Sequence, residues 1–99
     1  MLKTNQQKIN LGKLKYGQPY TFYYEITNPT TETIKVNKLV MGCHSCTKAH
    51  MENDTIPPGL GTRVVVTFTP GSTGIQSKHI DVIYNNTSLS LKFTATVEK

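Results

Sequence analysis

The chain has no tryptophan, one arginine and only two cysteines, and no apolar run approaches the ~20 residues needed to cross a bilayer. Each absence removes a class of protein. The opening Met1-Leu2-Lys3-Thr4-Asn5-Gln6-Gln7 lacks the hydrophobic stretch of a secretion signal, so the expected compartment is the cytoplasm in which the chain is made, with no membrane partner. That compartment is reducing, which favours thiols or metal ligands over a permanent disulfide unless the protein leaves the cell or joins a particle. The net charge of +5 comes from lysines scattered from Lys3 to Lys99, a pattern of solvated surface that argues against nucleic acid as a partner. Only Lys8, Lys13, Lys15 and Tyr16 make a small basic patch. No Ser, His and carboxylate fall together, and Gly71-Ser72-Thr73-Gly74 lacks the lysine and following helix of a phosphate loop. It reads as a hairpin turn, and the chain as no enzyme.

What is present is alternation at period two. Tyr20, Phe22, Tyr24 and Ile26 share one face of a run; Val64, Val66 and Phe68 share another; Ile80, Val82 and Tyr84 a third. The cleanest run sets Leu89, Leu91, Phe93, Ala95 and Val97 against Ser88, Ser90, Lys92, Thr94 and Thr96. Such alternation marks half-buried antiparallel strands. Gly, Pro and Asn punctuate them at Tyr16-Gly17-Gln18-Pro19, Asn28-Pro29-Thr30, Pro57-Pro58-Gly59 and Asn85-Asn86. Strands are expected near 8–11, 20–28, 32–41, 62–69, 75–85 and 87–97, with a short one near 51–56. Gly42 to Gly61 is left as the longest irregular segment, with one helical turn as the only competitor, around Thr47 to Met51. At 99 residues this is one all-β domain, an antiparallel sandwich of about seven strands over 8–99 preceded by a flexible or partner-docked arm over 1–7.

Both thiols and two of the three histidines lie between Cys43 and His50, so any site chemistry is expected there. In Cys43-His44-Ser45-Cys46 two thiolates can converge on one tetrahedral ion, with His50 or His44 as a third ligand and zinc the best match to sulfur and imidazole. The fourth ligand would have to come from Glu52, Asp54, His79 or a partner. A redox pair needs a helix N-terminus to lower a thiol pKa, and no such context surrounds this one. The plainer alternative is a pair of thiols packed as small hydrophobes under the end of the sandwich. His79, opposite Ile80 and Val82 in its run, is expected as an exposed strand histidine. Tyr23 points away from the core face of its run and, with Lys13 and Lys15, is the candidate for contact with another protein.

The order of these signals resembles the immunoglobulin-like Hydin and major-sperm-protein type of sandwich, and within it the uncharacterised bacterial domain marked by a Cys-Gly-Cys-Thr loop. The matching stretches are Ile9-Asn10-Leu11-Gly12, Phe22 to Asn28, Ile34 to Thr47, Ile56-Pro57-Pro58-Gly59, Val64 to Phe68, Gly74 with Ile80-Asp81-Val82, and Leu89 to Val97. This chain departs by carrying Cys-His-Ser-Cys where the family has Cys-Gly-Cys. The resemblance implies an immunoglobulin-like fold and no catalytic activity. Together these features lead to a structural, protein-interaction module with no required cofactor, an accessory subunit of a larger assembly and a candidate homo-oligomer within it. A bacteriophage virion component, as capsid decoration or tail-associated protein, is the specific expectation. The alternatives are a zinc-binding or thiol-redox module built on the Cys43 to Cys46 loop, or a scaffold domain tied to filaments.

Overall fold

Alternation becomes ten strands in the computed structural model, which describes residues 2–4, 6–42 and 46–99. In chain order they are β1 (Lys3–Thr4), β2 (Lys8–Lys15), β3 (Tyr20–Thr27), β4 (Ile34–Lys35), β5 (Lys38–Met41), β6 (Thr47–Met51), β7 (Thr55–Ile56), β8 (Gly61–Phe68), β9 (Gly74–Tyr84) and β10 (Thr87–Glu98). Three of them are two-residue strands, so seven have four residues or more. There is no helix among the described residues, and none therefore long and apolar enough to cross a membrane.

The strands form two four-stranded sheets, ordered β1-β3-β8-β6 and β2-β10-β9-β5, with β4 and β7 pairing separately. Every ladder is antiparallel except β2 on β10. Period two cannot distinguish the two senses, because a strand covered on one face alternates either way. The hairpin β9–β10 is set by Asn85 and Asn86, both at positive φ, 46° and 58°. That is the backbone of the two-residue turn whose twist matches its flanking strands.

Between the sheets lie the apolar sides of the alternating runs. Val64, Val66, Ile80, Val82, Leu91 and Phe93 have no exposed surface. In place of the missing tryptophan, Phe93 meets Phe22 and Phe68 edge to face, with ring centroids 5.0 and 5.2 Å apart. Two tyrosines tie the layers across this interior. Tyr24 Oη donates to the Lys92 carbonyl at 2.5 Å, and the Leu2 N–H donates to Tyr84 Oη at 2.9 Å. At one end the fully buried Asn28 ties its own 28–33 loop to the end of β7: its Nδ2 donates to the Glu32 and Ile56 carbonyls, and its Oδ1 accepts from the Thr30 N–H and hydroxyl.

Five expectations change. The strand expected to end at Leu11 runs on to Lys15 through a bulge at Gly12 (φ +75°), whose N–H is held by Asn10 Oδ1. The bulge is visible in the sequence as apolar spacing of two and then three, at Ile9, Leu11 and Leu14. The run 32–41 breaks at Val36 and Asn37, leaving β4 on β7 and β5 on β9. Thr47 to Met51 is edge strand β6, not a helical turn, so the segment from Gly42 to Gly61 is less irregular than expected. Residues 71–74 cross from one sheet to the other rather than closing a hairpin. In the expected arm, Leu2 is buried and β1 pairs with β3, so this part packs on its own domain.

Candidate functional site

The outer face of the β1-β3-β8-β6 sheet is built by the alternate residues of β3, β8 and β6. Register places Tyr23, Val65 and His50 side by side across three strands, with Thr21, Thr67 and Lys48 in the row beside them. Tyr23 is 48 % exposed. The Arg63 guanidinium lies over its ring, 4.7 Å from the centroid, and the Thr21 and Thr67 hydroxyls share a hydrogen bond of 3.1 Å. Arg63 also pairs with Glu52 at 3.8 Å. The positive and negative groups of this face offset one another, leaving an aromatic and an aliphatic side chain at its middle. An open cleft of ≈ 460 Å³ borders it, its charged lining residues being Glu25, Glu52 and Arg63, the last two paired with each other.

Lys13 and Lys15 stand elsewhere. They lie on β2, the edge of the other sheet, so the structure separates them from Tyr23 by the thickness of the sandwich. Lys13 reaches Glu98 at 3.8 Å. Lysines and a bulge on an edge strand are also what discourages pairing with another chain.

Of the expected metal ligands, Cys43 and His44 lie outside the described residues. Cys46 is half-buried against the core and disulfide-bonded, with Sγ 3.6 Å from Thr47 Oγ1. His50 does not join it. Four residues along a strand span ~13 Å, whereas the ligands of one zinc ion lie within about 4 Å of each other. Glu52 faces Arg63, and His79 projects from the outer face of the other sheet, where it meets Asp81 at 4.0 Å. Among the described residues no three His, Cys, Asp or Glu side chains gather as a metal site.

Two features escaped the sequence reading. Arg63 over Tyr23 required the β3–β8 register, which no turn between those strands sets. His79 opposite Lys92 was within reach: a two-residue turn at Asn85-Asn86 makes Tyr84 face Thr87, and counting outward brings His79 to Lys92.

Residues 2–97 match the family described as Protein of unknown function (DUF1573). No match is found among curated proteins. Among solved structures, the chain is similar to a protein of unknown function from Porphyromonas gingivalis W83, at 17 % identity and TM-score 0.84, over 96 % of this chain and 46 % of that one. It is similar to the Vibrio cholerae VesB protease at 14 % identity and TM-score 0.75, over 99 % of this chain and 32 % of that one. It is also similar to the ASH/PapD-like domain of human CEP192, at 10 % identity and TM-score 0.66, over 99 % of this chain and 85 % of that domain. The chain thus spans less than half the length of the first two. At such identities the likeness establishes the fold, an immunoglobulin-like β-sandwich, and not an activity.

Proposed function

The chain belongs to the DUF1573 family, and from that footing we propose that it is a non-enzymatic protein-interaction module, an accessory subunit that docks to another protein through the outer face of the β1-β3-β8-β6 sheet. The observation that carries this is Tyr23, half-exposed at the middle of the face with Arg63 stacked on its ring. Tyr and Arg are the side chains that most often anchor protein interfaces, because each offers a large contact area with few rotatable bonds to freeze or a planar, pre-organised set of donors. Val65 and the Thr21–Thr67 pair supply an uncharged surround beside Arg63, whose own charge is already paired with Glu52.

The assembly we favour is a virion of a bacteriophage, and kinship with Hydin and major-sperm-protein domains belongs to the same reading. The test is partner binding by Tyr23→Ala and Arg63→Ala: each is expected to weaken it by at least about tenfold, the effect of losing one interface anchor, with thermal stability nearly unchanged. A zinc or thiol-redox role for the Cys43 to Cys46 loop is the competing function. About one equivalent of zinc in the purified protein, or Cys43-dependent thiol-disulfide turnover, would favour it over docking.

A further inference from the structure

Lys8, Lys92 and His79 stand side by side on three neighbouring strands of the second sheet. Lys92 is the register partner of Lys8 in the parallel ladder and of His79 in the hairpin. All three are exposed, and their chain neighbours Ile9, Phe93 and Ile80 turn to the core. Adjacent strands lie ~4.8 Å apart, so the two lysines hold like charges directly opposite one another, an arrangement that destabilises a sheet. Neither has a carboxylate within ion-pair distance among the described residues, while Lys13 has Glu98 and His79 has Asp81. The row ends at Gly42, where the His79 Cε1 stands 3.2 Å from the position a Cβ would take.

From this arrangement we infer that the outer face of the β2-β10-β9-β5 sheet is a second docking surface, occupied by a protein segment whose clustered carboxylates bridge Lys8 and Lys92. Charge complementarity supplies the attraction, since the repulsion between the two ammonium groups is relieved when anions sit between them. The neighbouring positions on this face are Asn10, Ser77, Asp81, Ser90 and Thr94, of which Asp81 is held by His79, with no arginine to grip a phosphate bidentately and no aromatic on which a base could stack. Asp81 and Glu98 interrupt the positive charge that a continuous phosphate backbone would follow. A short acidic cluster fits between them. The inference goes beyond the Tyr23 contact and does not depend on it, giving the domain one contact on each side.

The test is an NMR titration of the isotope-labelled full chain with poly-L-glutamate at about 20 mM and about 150 mM salt. Shifts are expected at Lys8, Lys92 and His79, with affinity falling as salt rises. Lys8→Gln with Lys92→Gln is expected to weaken binding roughly five- to tenfold. Lys35→Gln with Lys48→Gln, which removes the same charge elsewhere, is expected to bind as the parent does. The first pair also relieves the repulsion, so its Tm at low salt rises, and a lower Tm would contradict the arrangement. Equal weakening by both pairs, or shifts that map to other strands, would overturn the inference. So would tighter binding of duplex DNA or heparin at the same lysines, which would assign the face to another class of polyanion. Tyr23→Ala leaves polyglutamate binding unchanged, so loss of either contact is read separately.

Discussion

The hydroxyl of Tyr24 on one sheet donates to the main-chain carbonyl of Lys92 on the other, 2.5 Å away across the sandwich. One side chain thereby joins the buried side of β3 to the strand that carries the exposed lysine row. Replacing it by Phe keeps the ring and its edge contact with Phe22 but leaves a carbonyl without its donor. The expected loss in Tyr24→Phe is about 1 kcal/mol, the net worth of a neutral hydrogen bond, read by urea denaturation at neutral pH.

The same phenol gives the fold an alkaline limit. Burial holds the Tyr24 pKa well above its usual range, so above ~10 the unfolded chain releases this proton while the folded one keeps it. The contribution is fully present below ~10 and is lost as pH rises from there toward the folded value. Stability measured between about pH 8 and pH 11 should fall at the alkaline end, and Tyr24→Phe should fall less steeply. Equal slopes would contradict the assignment.

Asn28 is the buried polar group on which the loop end depends. Asn28→Ala removes four side-chain hydrogen bonds and takes the amide donor from the Ile56 carbonyl, while the Glu32 carbonyl keeps the Thr30 hydroxyl as a donor, for an expected loss of roughly 2–3 kcal/mol. Asn28→Asp should be at least as damaging, because a carboxylate offers only acceptors to those two carbonyls. Thermal melts of the two variants check the order.

Gly61 tests a close approach between strands. A Cβ at this position would lie 2.8 Å from the Ile26 carbonyl oxygen, a main-chain atom that cannot step aside without disturbing the ladder. Gly61→Ala is expected to destabilise by about 1–3 kcal/mol, whereas Gly71→Ala, with open space around it, should change little.

How far the fold was legible follows from which signals are local. Alternation in 20–26, 64–68, 80–84 and 89–97 placed the core correctly, because a period of two leaves one choice of inward face once a run is long. The same alternation points Tyr23 and His79 outward, and both are exposed. Register within the hairpin was implicit in Asn85-Asn86. The parallel alliance of β2 with β10, the switch of the chain at Val36 and Asn37, and the short strand from Thr47 to Met51 each depend on partners distant in sequence, which no local pattern announces. The same limit explains why the sequence alone draws Tyr23, Lys13 and Lys15 together although they stand on opposite layers, and sets His50 beside Cys46 as a ligand. Nearness in sequence is not nearness across a strand.

The docking role stands or falls most directly on site-specific photocross-linking in the source cell, with a photoreactive residue at Tyr23 and, as controls, at the exposed Leu60 and Tyr16. A discrete protein adduct from position 23, absent from the controls and suppressed by Arg63→Ala, is expected. No adduct at position 23, or the same adducts from all three positions, would contradict a partner seated on the Tyr23 face.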